Sequence, residues 1–147
     1  MGKITAVAER RIQAPTEVVR TVIADYRESR PKILTEHYRD YQVTEGGTGA
    51  GTAVRWKLQA TSKRVRDVNA SVSEPEPGTL VETDANSSMV TTWTVREADE
   101  ATLVRIETSW DGAGGIGGFF ERTFAPLGLR RIHEGVLDKL SGVVAQS

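Results

Sequence analysis

From residue 53 onward the chain advances in two-residue steps. In TAVRWKLQA, Val54, Trp56 and Leu58 alternate with Arg55, Lys57 and Gln59. Successive side chains of an extended strand point to opposite faces, so this pattern calls for a sheet with one dry and one wet side. The alternation recurs. Val68, Ala70 and Val72 lead to the turn EPEPG, and Val81, Thr83 and Ala85 lead to a polar stretch at 86–88. Thr91, Trp93 and Val95 lead to EADE, and Val104, Ile106, Thr108 and Trp110 to a glycine-rich loop. Short polar turns with no crossover helix between strands mean that consecutive strands pair antiparallel, which excludes folds built on parallel βαβ units.

The segments flanking this meander have a different period. KITAVAERRIQ at 3–13 is a first strand, with Ile4, Ala6 and Ala8 on one face. It stops at Ala14-Pro15, where proline suits the first helical position and Glu17 favours the positive helix end. Val18, Val22 and Tyr26, with Val19 and Ile23 beside them, predict a short amphipathic helix over 15–25. Pro31 begins a second short helix bearing Ile33 and Leu34, with His37 and Tyr38 at its end. Tyr41 and Val43 then start a strand that closes in EGGTGAG, a hairpin turn. At the far end Phe120, Phe124, Leu127, Ile132, Val136, Leu140 and Val143 or Val144 approximate one stripe at helical spacing. We expect one long C-terminal helix on the sheet, kinked near Pro126 and Gly128.

Between sheet and helix lies GAGGIGG, whose glycines at 112, 114 and 117 spell G-x-G-x-x-G. A dinucleotide site needs that pattern between a parallel strand and a helix, with an acidic residue on the next strand about 20 positions on. Here the preceding strand belongs to an antiparallel meander and no strand follows. Asp138 has the offset but sits in the predicted helix. The glycines are therefore read as a sharp turn into the helix, and as the rim of whatever space the helix encloses.

This order of elements resembles the START-like helix-grip fold of the SRPBCC superfamily, in particular bacterial polyketide cyclase/dehydrase-like proteins. The local carriers are IQAPTEVV at 12–19, VSEPEPGTL at 72–80 and the glycine-rich approach to a proline-interrupted final helix. The resemblance covers nearly the whole chain and implies an α+β class. It implies a curved antiparallel sheet of about six to seven strands around a long C-terminal helix, with two short helices after the first strand. It also implies a single START-like ligand-binding domain over 1–147, holding an apolar or amphipathic small molecule such as a lipid, polyketide or isoprenoid-like compound.

The residues support such a pocket independently. Small inward side chains at Ala8, Ala70, Thr83, Ala85, Thr91 and Thr108 stand beside Trp56, Trp93 and Trp110, leaving room and polar handles. The expected lining is Tyr38, Trp56, Thr83, Thr91, Trp93, Thr108, Trp110, Phe120 and Phe124. The competing reading is that the aromatic residues simply fill the core. Acid–base chemistry of the cyclase or dehydratase kind would fall to Tyr26, His37, Tyr38 or Tyr41, because Glu82, Asp84 and Glu107 are expected on the outer face. A third reading is a regulatory module that binds a protein partner.

Other chemistries lack residues. With no cysteine there is no thiol nucleophile, disulfide or thiolate metal site. The two histidines, His37 and His133, show no metal-ligand spacing, so no metal is expected; His133 is expected on the helix surface, and His37 is the candidate of the two for a cavity mouth, given the flanking Tyr38 and Tyr41. No G-x-S-x-G elbow occurs, and no cofactor is expected. A net charge of -1 provides no long-range attraction for nucleic acid, and Arg55, Lys57, Lys63, Arg64 and Arg66 read as a solvated sheet face, as do Arg130 and Arg131 on the helix. The N-terminus reaches charged residues too soon for a signal peptide. No apolar run approaches the roughly 20 residues of a membrane span, so a cytoplasmic location is expected.

Overall fold

Each run of alternation becomes a strand in the computed structural model, which describes residues 3–61, 64–111 and 126–145. In chain order the elements are β1 (Lys3–Ile12), α1 (Thr16–Ala24), α2 (Arg30–Ile33), β2 (Tyr38–Glu45), β3 (Ala53–Thr61), β4 (Arg64–Glu76), β5 (Thr79–Asp84), β6 (Val90–Ala98), β7 (Ala101–Asp111) and α3 (Pro126–Ala145). The strands form one seven-stranded sheet of order β1-β7-β6-β5-β4-β3-β2, antiparallel throughout. Consecutive strands are neighbours except that β1 closes against β7.

The register is regular from β5 through β6 and β7 to β1. It is broken in the other half, at Arg39/Gln42 and Val43/Glu45 in β2, Gln59/Thr61 in β3 and Ser73/Glu76 in β4. Bulges bend a strand and raise its twist, so this half curves. One face of the curve is apolar: Ala6 and Ala8, Val54, Trp56 and Leu58, Val68, Ala70 and Val72, and Trp93, Val104 and Ile106 are all buried. Against it lies α3 with Leu129, Ile132, Val136, Leu137, Leu140 and Val144 buried, a stripe at three- and four-residue spacing.

Two expectations, on Leu127 and Tyr38, are corrected here. Leu127, assigned to the helix stripe, is 57 % exposed, and Leu129 takes the buried place. The described part of α3 starts at Pro126; Phe120, Phe124 and the glycine loop at 112–118 lie outside the described residues. Tyr38 ends no helix but opens β2, paired with Leu58.

The largest difference is in β5. LVETDA offers two frames, and the structure turns Leu80, Glu82 and Asp84 inward. Val81 is half-buried and Thr83 is exposed on the outer face. Thr83 is therefore removed from the pocket, and Glu82 and Asp84 are not outer-face residues. Buried carboxylates are tolerated only with partners, and both have them. Asp84 accepts hydrogen bonds from the backbone N–H of Asn69 and Asn86 and from the Ser87 hydroxyl, which ties down the turn into β6. The partners of Glu82 form the site.

Candidate functional site

The chain leaves α1 through Tyr26 and re-enters a helix at Arg30, both facing the inner side of β5 and β6. Arg30 Nη1 donates to Glu82 Oε2 at 2.7 Å, and the Tyr26 hydroxyl donates to the same oxygen at 2.6 Å. Arg30 Nε and Nη2 both donate to the Ile23 carbonyl left free at the end of α1, at 3.2 and 2.7 Å. The guanidinium lies 4.2 Å from the Tyr26 ring centroid and 4.5 Å from that of Trp93, so it is clamped by two aromatic faces. Arginine suits this position because its planar fork can stack and donate at once. Burial works against its charge, and the neighbouring oxygens of Tyr26 and Glu82 more than offset it, holding the guanidinium above its ordinary value. Burial pushes the Tyr26 hydroxyl up as well, which keeps it a donor.

A second polar group faces it from the other end. Thr91 of β6 and Thr108 of β7 are register partners, and their hydroxyls meet at 2.8 Å. Thr108 Oγ1 also meets His133 Nε2 of α3 at 2.8 Å. Loss of solvent pushes the His133 imidazole down to about 4, so the ring is neutral near pH 7. Its Nδ1 is buried and has no hydrogen-bond partner among the described residues, and the same holds for Trp56 Nε1.

Aromatic side chains of β2 and β3 close the third side. Trp56 stacks with Tyr41 at a centroid distance of 6.3 Å and tilts against Tyr38 at 5.8 Å. The Tyr41 hydroxyl donates to the Tyr26 carbonyl at 2.6 Å. Burial raises the hydroxyls of both Tyr38 and Tyr41.

Among the described residues these groups border a cavity of about 20 Å³, with Arg30, Glu82, Thr91, Thr108 and His133 in its wall beside Leu34, Tyr38, Tyr41, Trp56, Met89, Trp93 and Leu129. That is room for about one water molecule. Leu34, Tyr38 and Tyr41 of this wall are half-buried.

Of the expected lining, Tyr38, Trp56, Thr91, Trp93 and Thr108 border the cavity. Trp110 is buried in the core but is not part of the wall. Among the acid–base candidates, Tyr38 and Tyr41 reach the cavity and Tyr26 stands behind it, holding Glu82. His37 bonds through Nδ1 to Thr35 Oγ1 at 3.0 Å and is not in the wall. His133, expected on the surface, is buried in the wall. The sequence reading missed Arg30, Glu82 and His133. Spacing could have found the histidine, because 129, 133, 136 and 140 form one helical stripe.

Among the described residues no three His, Cys, Asp or Glu side chains gather as a metal site would require, and no helix is long and apolar enough to cross a membrane.

A family model described as polyketide cyclase / dehydrase and lipid transport matches residues 3–145. The solution structure of a protein called KanY is 53 % identical, with a TM-score of 0.89 over 99 % of each chain. Protein TTHA0849 of Thermus thermophilus shares the fold at 19 % identity and TM-score 0.75, covering 97 % of this chain and 98 % of its own. The Zhui aromatase/cyclase of Streptomyces sp. R1128 shares it at 14 % identity and TM-score 0.75, covering 99 % and 95 %. No curated protein matches the sequence.

Proposed function

Because the chain belongs to the polyketide cyclase/dehydrase and lipid transport family, we propose that it binds a hydrophobic or amphipathic small molecule between the curved sheet and α3, the chain acting as one ligand-binding domain. The observation that carries this reading is the cavity wall. Ion pairs and hydrogen-bond chains are costly to bury, yet here two polar groups border one cavity across aromatic walls, and two of the wall's rings, Trp56 and His133, each carry a buried nitrogen without a partner among the described residues. A core evolved only for packing has no use for that arrangement. At about 20 Å³ the space is too small for such a ligand, so one enters as half-buried side chains of the wall, Leu34, Tyr38 and Tyr41, move aside.

Native mass spectrometry of the purified protein, followed by titration with an environment-sensitive naphthalene dye, tests this. A co-purifying small molecule, or saturable dye binding that is lost on Met89→Trp, is the expected result. No bound species and no saturable dye binding would reject it.

The alternative of a cyclase or dehydratase rests on the neighbourhood of Tyr38. Its hydroxyl, kept protonated by burial, would give a hydrogen bond to a substrate oxygen, with the carboxylate of Glu82 in the same wall as proton acceptor. His133, pushed down to about 4 by burial, is a weak base near pH 7. Turnover of an aromatic polyketide precursor that survives Tyr38→Phe unchanged would discount this reading.

A further inference from the structure

A second recess lies beside the central cavity, between α1 and the inner side of β5 and β6. Ile23 and Ala24 of α1 border it together with Leu80, Trp93 and Val95, around a space of about 50 Å³. All of these but the half-buried Ala24 are buried. Close packing normally fills such a gap; here the small side chain of Ala24 leaves it open. The rest of its lining carries one charge of each sign, Arg20 and Glu74, both exposed. A bulge in β4 brings the carboxylate there: Ser73 pairs with Val81 and Glu76 with Thr79, so Glu74 and Pro75 stand against Leu80 alone. Both charges are anchored at Gly78. Arg20 Nη2 lies 3.0 Å from where a Cβ of that glycine would stand, and Glu74 Oε2 accepts its N–H at 3.4 Å. Yet no ion pair within 4.0 Å joins the two. Among the described residues Arg20 has no hydrogen-bond or ion-pair partner, and Glu74 has only that N–H.

An apolar recess edged by a cation and a carboxylate that do not pair matches a ligand with one apolar end and both charges. The contacts at Gly78 confine the guanidinium and the carboxylate to less than about 9 Å apart. In an α-amino acid the ammonium nitrogen and the carboxylate oxygens are about 3 Å apart, and a charge-assisted hydrogen bond of about 2.8 Å at each end lets it span that gap. The recess has room for roughly four water-sized groups, which is the carbon count of an isobutyl or sec-butyl side chain. We infer that this recess is a second binding site, distinct from the central cavity, and that its ligand is a zwitterionic α-amino acid of the leucine or isoleucine type. Arg20 takes the carboxylate, which its planar fork suits, and Glu74 takes the ammonium. The branched side chain supplies the packing that Ala24 leaves out against Ile23, Leu80 and Trp93. Exposed charges alone bind weakly, so the apolar end provides the affinity and the two charges the selection.

The test is a titration of 15N-labelled protein with L-leucine, followed at the backbone amides of Gly78, Leu80 and Val95, where saturable shifts are expected. 4-Methylpentanoate and 3-methylbutylamine keep the side chain and lose the ammonium or the carboxylate in turn. Each should bind about three- to tenfold more weakly than leucine. Glycine, which keeps both charges and lacks the side chain, should not saturate the site. Single variants assign the roles: in Arg20→Gln leucine should bind no tighter than 3-methylbutylamine, and in Glu74→Gln no tighter than 4-methylpentanoate. Both residues are exposed, so neither substitution threatens the fold. Equal binding of leucine and either one-charge analogue overturns the zwitterion assignment, and so does leucine binding that both variants leave unchanged. No saturable shift with leucine, or shifts centred on Thr91 and Thr108 of the central cavity, overturns the site itself. The dye titration of the central cavity is read separately, and its failure would leave this site standing.

Discussion

Arg30 and Glu82 meet at 2.7 Å inside the protein, the arginine 3 % and the glutamate 5 % exposed. Such a pair is not a source of stability by itself, because desolvating two charges offsets their attraction; the severe loss comes from leaving one behind. Glu82→Leu leaves a guanidinium buried between Tyr26 and Trp93 and should cost about 3–5 kcal/mol in urea melts. Arg30→Met combined with Glu82→Leu should recover much of that loss. A double variant as unstable as the sum of the two single variants would mean that the pair is needed for packing and not only for mutual compensation.

This pair also marks the limit of what was legible beforehand. The sheet, its antiparallel order and the long helix follow from alternation and helical spacing, because apolar residues such as Val54, Trp56, Ile106 and Val136 have one place to go. The inner face of β5 did not follow, since Leu80 and Val81 are both apolar and the tie was broken by keeping Glu82 and Asp84 in water. What reverses that choice is long-range: Arg30 lies 52 residues from Glu82 in the chain, and no local pattern records that a charged residue has a partner waiting. Tyr38, Trp56, Thr91, Trp93 and Thr108 of the cavity wall were legible, whereas Arg30, Glu82 and His133, polar residues whose partners lie far away in the chain, were not.

The hairpin between β4 and β5 turns at Gly78, with φ of 86°. A Cβ there would meet the Val95 carbonyl oxygen at 2.8 Å and the Arg20 side chain at 3.0 Å, and the glycine's own carbonyl accepts the Val95 N–H. Gly51 has a similar φ of 89° but open space around it. Both alanine variants pay for left-handed backbone, about 1 kcal/mol or more. Gly78→Ala should cost at least ~1 kcal/mol beyond Gly51→Ala, because a backbone carbonyl, unlike a side-chain end, cannot swing away. Equal losses in denaturant melts would show that the β5–β6 ladder relaxes at little cost.

The helix face can be checked by truncation. Leu140 is fully buried under α3, whereas Leu127 is 57 % exposed at its start. Leu140→Ala should destabilise by about 2–5 kcal/mol and Leu127→Ala by less than ~1 kcal/mol. The reverse ranking would place the helix about its axis differently from the structure.

The buried imidazole sets a pH dependence whose sign is fixed. In the unfolded chain His133 titrates near 6.5, and in the folded protein burial pushes it down to about 4. Between those values the unfolded state holds the extra proton and the folded state does not, so stability falls as pH is lowered from 6.5 towards 4 and levels off below. The whole window is worth about 3 kcal/mol. Asp25 adds to the loss only further down. Its slight burial, which would raise it, is outweighed by hydrogen bonds from the Glu28, Arg27 and Ser29 backbone and the Ser29 hydroxyl, so it lies below 3.8 and its contribution disappears as pH falls through that lowered value. Urea midpoints at about pH 7 and about pH 4.5 should therefore separate in the parent by considerably more than in His133→Leu, which has no proton to take up at this position. If the two proteins lose stability in parallel, or if the His133 ring signals titrate near the unperturbed 6.5 in the folded protein, the imidazole is not sealed under α3 and the Thr108 contact does not hold it there.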